Sequence, residues 1–136
     1  MIKKLLTATP TDLQNSIALL IGRLTFGGMM LTHGWPKLAD FEARSASFAD
    51  PLGVGPGISL ALAVFAEFFC AIFLMLGLGT RLVLIPLIIT MFVAGFIHHA
   101  GDGFSMMEKS LLFLSGYIVL FILGPGRFSL DHKLFN

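Results

Sequence analysis

The sequence predicts an all-α integral membrane protein, a four-helix bundle in which residues 1–136 form one transmembrane domain. Only 12% of the residues are charged and 56% are apolar, whereas soluble domains carry about 25% charged and about 45–50% apolar residues. Four segments approach the roughly 20 mostly apolar residues that cross a bilayer: residues 13–33, 57–78, 81–99 and 106–123. These spans use more than half of the chain. The function must therefore lie in the bundle or its short loops, and the lipid bilayer is the first partner.

The charge balance and the cysteine count exclude several classes of protein. Nine Lys and Arg against eight Asp and Glu give a net charge of +1, which offers no basic surface for nucleic acid. The single cysteine, Cys70, cannot form a disulfide within the chain or a cysteine-based zinc site. No phosphate loop, dinucleotide fingerprint or HExxH motif is present. No metal site is predicted, and no catalytic residue can be assigned.

The ends of the spans carry helix start and stop signals. Thr9-Pro10-Thr11-Asp12 predicts a cap at Thr9 followed by proline in the first turn, and Pro56-Gly57 opens the second span in a similar way. Gly79-Thr80 makes the second and third helices antiparallel neighbours. Ser105-Met106-Met107-Glu108 predicts a capping box that starts the fourth helix near Met106, and Gly124-Pro125-Gly126 ends that helix.

The basic residues near the span ends predict the topology, because cytoplasmic loops carry an excess of Lys and Arg. One side receives Lys3, Lys4, Arg81, Arg127 and Lys133, and the other receives Lys37, Arg44 and Lys109. This difference predicts that both termini are cytoplasmic. The one long connection, residues 41–57, is expected to form a short amphipathic helix at the membrane interface or a lid-like loop.

Two charged residues lie deep within predicted spans. Arg23 and Glu67 each fall about 15 Å from a membrane surface, where an unpaired charge costs about 2.5–3.5 kcal/mol or more. We therefore expect the two side chains to face the bundle interior and to pair. Ala63 and Ala71 flank Glu67 at a spacing of four residues, which lets another helix approach closely. The pair either fixes helix register or lines a substrate or proton site.

A second group of polar residues collects toward the non-cytoplasmic side. These residues lie at the span ends or one to two turns inside them: His33, Lys37, His98, Lys109 and Tyr117. Pro86, Thr90, Ala94 and His98 recur every four residues, so this small and polar stripe should face inward, with His99 turned outward. The alternative is that Lys37 and Lys109 extend to lipid head groups. Otherwise the group forms a polar cavity that is open at one face.

Several of these residues belong to motifs of a known family: Gly22-Arg23-Leu24, His33-Gly34-Trp35-Pro36-Lys37-Leu38, Glu67, Gly77-Leu78-Gly79-Thr80-Arg81 and Gly124-Pro125-Gly126-Arg127-Phe128-Ser129-Leu130-Asp131. On these residues the chain resembles the DoxX family, small four-helix membrane proteins of bacteria. The resemblance implies a multi-pass protein of the bacterial inner (cytoplasmic) membrane. The family takes its name from a subunit of a thiosulfate:quinone oxidoreductase, so the resemblance also implies a redox-linked membrane subunit. It supplies no catalytic residues.

Two functional hypotheses follow. In the first, the chain is the membrane subunit of a redox complex, with a quinone as its candidate cofactor and a partner protein as the electron source. Tyr117, His98 and Lys109 would then donate hydrogen bonds to the quinone carbonyls, and Arg23 with Glu67 would carry protons or fix the slot. Because Cys70 is the only cysteine, thiol chemistry would belong to the partner. In the second hypothesis, the chain is a non-enzymatic membrane scaffold or a small-solute permease. Homo-oligomers are compatible with either hypothesis.

Overall fold

The computed structural model describes residues 1–136 and contains only helices, joined by turns and loops. The helices are α1 (Ile2–Leu5), α2 (Asp12–Ala39), α3 (Phe41–Ser45), α4 (Pro56–Leu76), α5 (Thr80–His98), α6 (Phe104–Leu123) and α7 (Leu130–Phe135). Four of them, α2, α4, α5 and α6, are long and apolar enough to cross a membrane. The predicted fold class, an all-α membrane bundle, is confirmed.

The four long helices run alternately up and down in a closed bundle. Helix α2 packs on α4 and α6, and α5 packs on the same two helices from the other side. The centre is filled by side chains that are almost fully buried, including Met30, Leu74 and Leu87. Helix α2 approaches α4 closely at Gly27 and Gly34, where an added Cβ would meet the α4 backbone. Small residues at such contacts are typical of membrane helices.

The outer surface of the bundle is apolar. Large side chains such as Leu62, Phe65, Ile89 and Ile122 are about half exposed or more. In water, so much contiguous apolar surface would drive aggregation, whereas acyl chains solvate it without cost. The bundle therefore contacts the lipid bilayer through these faces.

Two predicted helix starts are wrong. Helix α2 is capped by Thr11 rather than Thr9, because the Thr11 hydroxyl accepts a hydrogen bond from Gln14 N (3.2 Å) and the Gln14 side chain accepts one from Thr11 N (2.8 Å). Helix α6 begins at Phe104, so Ser105 lies inside the helix and forms no capping box. Gly103, with φ of 85°, ends the preceding loop and allows the helix to begin earlier.

Helices α4 and α5 each contain a π-helical turn that the sequence analysis did not anticipate. Residues Phe65–Cys70 of α4 and Val93–His98 of α5 adopt this wider geometry. Such turns are rare and frequently lie at functional sites. Here the first contains Glu67 and the second ends at His98, so both turns shape the same end of the bundle.

Candidate functional site

A cavity of about 570 Å³ occupies the end of the bundle where α2 and α5 finish and α4 and α6 begin. Its walls are mainly apolar and include Met30, Met91 and Phe113. The loop between α3 and α4 covers it through Phe48, Ala49, Pro51 and Leu52. The side chains of Pro86, Thr90, Ala94 and His98 all line it, as their four-residue spacing predicted.

Five of the seven residues proposed from the sequence for a polar intramembrane site line this cavity: His33, Lys37, Glu67, His98 and Lys109. At its base, Lys37 Nζ lies 2.8 Å from Oε2 of Glu67, and both side chains are largely buried. Lys37 Nζ also donates a hydrogen bond to the His33 carbonyl oxygen, 3.1 Å away. The Lys37 ammonium group therefore bridges the Glu67 carboxylate and the backbone of α2.

Histidine rings and a lysine surround this ion pair. The His33 ring packs edge-on against Phe113, with ring centres 6.0 Å apart. Lys109 lies close enough to the His33 ring for the two groups to interact electrostatically. The rings of His98 and His99 lie 4.7 Å apart, and both residues line the cavity. The prediction that His99 points outward is therefore wrong. The π-helical turn ends at His98, and the backbone of His99 is no longer helical (φ −96°, ψ 17°), so helical spacing does not set the direction of the His99 side chain.

Arg23 is not part of the cavity, and its predicted pairing with Glu67 is wrong. Its Nη1 donates to the Met75 carbonyl (3.0 Å), and its Nη2 donates to the Phe128 carbonyl. Gly34 of α2 lies against the backbone of Glu67. Arg23 lies about three helical turns, or about 16 Å, from Gly34 toward the N-terminal end of α2. The depth estimate failed because α2 extends well beyond the end of α4, so equal distances from the two helix starts are different levels in the bundle.

Tyr117 also lies outside the cavity. Its side chain is fully buried, and its hydroxyl donates a hydrogen bond to the Phe26 carbonyl, 3.2 Å away. Its ring packs against Phe26 and against Phe113, which does line the cavity. Tyr117 therefore supports the cavity wall and is not available as a hydrogen-bond donor to a ligand.

The opposite end of the bundle is closed by the C-terminal segment, residues 124–131. The Asp131 carboxylate accepts hydrogen bonds from Gly79 N (2.7 Å) and Thr80 N (2.9 Å), which caps α5. Asp131 N in turn donates to the Gly77 carbonyl (2.9 Å). Burial alone would raise the pKa of Asp131, but these hydrogen bonds, together with the charge of Arg23, outweigh burial and lower it. Arg23 thus joins α2 to the end of α4 and to the C-terminal segment, and Asp131 joins that segment to the α4–α5 turn.

Comparison with known proteins agrees with this architecture. The DoxX family model matches residues 18–100, which include α4, α5 and most of α2. The chain belongs to the DoxX family. It is 27% identical over 122 residues to the inner membrane protein YqjF of Escherichia coli, covering 87% of this chain and 92% of that protein. It is 29% identical over 126 residues to the inner membrane protein YphA of the same organism, covering 86% and 90% respectively. No solved structure gives a significant match.

The motifs that carry the DoxX resemblance divide between the two ends of the bundle. His33, Lys37 and Glu67 line the cavity. Arg23, the Gly77–Arg81 turn and the C-terminal segment instead form the closed end. The family positions are therefore partly structural, and their presence in a motif did not distinguish the two roles.

The cavity roof was only partly foreseen. The long connection combines the two expected forms, since α3 is a short helix and the residues after it form a lid-like loop. Asp50 fastens that loop by accepting hydrogen bonds from Ser59 Oγ (2.8 Å), Gly55 N (2.8 Å) and Val54 N (3.0 Å). The Ser59 bond is the main cause that lowers the pKa of Asp50.

Three residues of the cavity were not expected from the sequence: Phe48 and Leu52 in the roof and Phe113 in the wall. The sequence signal for this fastened loop was Asp50, which precedes Gly53-Val54-Gly55 by three residues. Aspartate and glycine are typical of turns in which the carboxylate bonds the backbone. No local pattern marked Phe113, because a phenylalanine in an apolar helix is the ordinary case.

Proposed function

We propose that this DoxX protein is the membrane subunit of a quinone-linked redox complex and that the cavity binds the quinone ring. The observation that carries this proposal is the combination of apolar walls with a polar base in one cavity of about 570 Å³. Small-molecule sites are typically clefts of about 300–1,000 Å³ with a few polar groups among apolar walls.

The residues of the cavity fit a quinone ring. A quinone needs an apolar slot for the ring and hydrogen-bond donors for its carbonyl oxygens. The side chains of His33, His98 and Lys109 line the cavity and make no hydrogen bond within the protein, so they are free to donate. Met30 and Phe113 offer apolar surface beside them. When bound, the quinone supplies an acceptor for two electrons and two protons.

The Lys37–Glu67 pair is suited to handling protons at this site. The Glu67 carboxylate lines the cavity and is largely buried, and a carboxylate within hydrogen-bond reach of a ligand can act as a general acid or base. Lys37 holds the carboxylate in place at 2.8 Å. The roof formed by Phe48 and Leu52 limits water at the same point.

The electrons have to come from another protein. Cys70 is the only cysteine, and it is buried in the core away from the cavity walls, so the chain offers no dithiol. A redox partner protein docking on the bundle would supply this chemistry. We place the complex in the bacterial inner membrane with both termini cytoplasmic, as the distribution of Lys and Arg and the relatives' names support. A homo-oligomer is compatible with this arrangement.

Quinone binding by the purified protein in lipid nanodiscs tests the proposal. We expect a quinone to bind, and a His33→Ala, His98→Ala double variant to bind about thirtyfold more weakly, because two hydrogen bonds of about 1 kcal/mol each are lost. Tyr117→Phe is the matched control. It removes a hydroxyl outside the cavity and should leave binding unchanged.

Two results would count against the proposal. If the wild-type protein binds no quinone and no redox enzyme co-purifies with it from native membranes, the scaffold or permease hypothesis replaces it. If the double histidine variant binds as well as the wild type, the quinone does not occupy this cavity.

A further inference from the structure

The charges on the cavity walls do not balance. Lys37 and Glu67 neutralise one another as an ion pair. Lys109 also lines the cavity, and it forms neither an ion pair nor a hydrogen bond. Glu67 is the only acidic residue on the walls. The walls therefore hold two lysines and one carboxylate, an excess of one positive charge.

Two of the acidic residues near this end contact other groups, and no acidic residue forms an ion pair with Lys109. Asp50 accepts its three hydrogen bonds from Ser59 and the loop backbone. Asp102 lies 3.2 Å from Nδ1 of His99, and neither carboxylate lines the cavity. The charge of Lys109 thus remains available to a ligand, beside His33.

The cavity also opens toward the lipid. Leu62 and Phe65 of α4 and Ile89 of α5 line it, yet these three side chains are 54%, 51% and 55% exposed. Exposed faces of these helices contact acyl chains in a membrane. A residue that lines the cavity and also faces lipid marks a lateral gap between α4 and α5. This gap connects the cavity with the apolar part of the bilayer.

From the unpaired cation and the lateral gap we infer that the cavity selects a membrane-dissolved amphiphile with an anionic head group and an apolar tail. The head group lies near Lys109 and the histidines, and the tail leaves between Leu62 and Ile89. This inference rests on the proposed function in that it concerns the ligand of the same cavity. The shared chemistry, an anionic oxygen on an apolar chain, is found in an acidic hydroxyquinone and in a fatty acid.

Matched probes test the inference on the full chain in nanodiscs. One is an alkylated hydroxynaphthoquinone, whose ring hydroxyl is ionised at neutral pH. The second carries a methyl group in place of the hydroxyl, and the third is a fatty acid with the same alkyl chain. We expect the ionised quinone to bind at least about tenfold more tightly than its methyl analogue, because hydrogen bonds to charged groups are about twice as strong as neutral ones.

Lys109→Gln should abolish that preference, because the glutamine amide can still donate a hydrogen bond to either quinone but carries no charge for the ionised oxygen. Lys133→Gln is the matched control, since it removes a lysine in α7, at the end of the bundle opposite the cavity. Retention of the full preference in Lys109→Gln would overturn the assignment of the anion site.

The lateral gap has its own variant. Ile89→Trp narrows the gap, and we expect it to weaken binding of long-chain probes more than binding of short-chain probes with the same head group. Equal weakening for both chain lengths would contradict the lateral gap.

The probe series separates this inference from the proposed function. Equal binding of the two quinones overturns the anionic preference and leaves quinone binding intact. Binding of the fatty acid alone supports an anionic amphiphile and overturns the quinone assignment. Binding of none of the three probes overturns both.

Discussion

Removing the partners of the buried ion pair tests which charges are coupled within the bundle. At 2.8 Å and an effective dielectric constant of about 20, the attraction between Lys37 and Glu67 is about 6 kcal/mol. Desolvation of the two ions offsets most of it, and contacting residues typically show coupling energies of about 0.5–3 kcal/mol. We expect Lys37→Met and Glu67→Gln to couple by about 1–3 kcal/mol in a double-mutant cycle.

For a cycle that pairs Arg23 with Glu67, we expect no coupling energy. Arg23→Gln and Glu67→Gln should be additive within about 0.5 kcal/mol, because sites without shared partners behave independently. Arg23→Gln should be the more harmful single change. It removes charged hydrogen bonds to two carbonyls, Met75 and Phe128, each worth about 1.5–3 kcal/mol. After Glu67→Gln, Lys37 keeps its bond to the His33 carbonyl.

Equilibrium unfolding in detergent micelles, followed by circular dichroism, gives the free energies of unfolding for the three single and two double variants. A coupling energy between Arg23 and Glu67 that exceeds the one between Lys37 and Glu67 would refute this reasoning. Equal losses for Arg23→Gln and Glu67→Gln would refute the ranking alone.

Three further predictions concern helix packing, a helix cap and the roof. Gly34→Ala should destabilise the bundle by about 1–3 kcal/mol, since its Cβ would lie 2.7 Å from Phe68 N. Gly28→Ala is the control and should be neutral in the same unfolding assay, because its Cβ would lie 3.7 Å from the flexible end of Met75. Asp131→Ala should cost about 1 kcal/mol as a lost cap. Because its folded-state pKa is lowered, the wild-type advantage is complete above the ordinary aspartate pKa and lost as the pH falls through the lowered value, which thermal melts at several pH values would show. Asp50→Asn should loosen the roof loop and increase its proteolysis, without a change in helix content.

The fold was predictable because the features that determine it, apolar runs and turn residues, are local in the sequence. Long apolar runs require helices in a bilayer, and the glycines of the α4–α5 turn, Gly77 and Gly79, permit the left-handed backbone that the turn adopts. The gathering of His33, Lys37, His98 and Lys109 at one end also followed from antiparallel order and helical spacing.

The errors arose where a residue's position depends on another element. The levels of Arg23 and Glu67 depend on how far α2 extends past α4, which no local pattern encodes. The orientation of His99 depends on where α5 ends, because the backbone of His99 is no longer helical. The cap supplied by Asp131 joins residues that are 51 and 52 positions apart in sequence, and only the folded chain brings them together.

The two ends of the bundle differ in what their charged side chains contact, and that difference bears on function. At the closed end, the side chains of Asp131 and Arg81 form hydrogen bonds with backbone atoms of neighbouring elements, as expected of groups that hold a structure together. At the cavity end, the side chain of Lys109 lines the cavity and forms neither an ion pair nor a hydrogen bond within the protein. A lysine without such a partner adds little to the stability of the fold. Its position on the wall of a cavity open to lipid therefore favours a ligand that its ammonium group can bind.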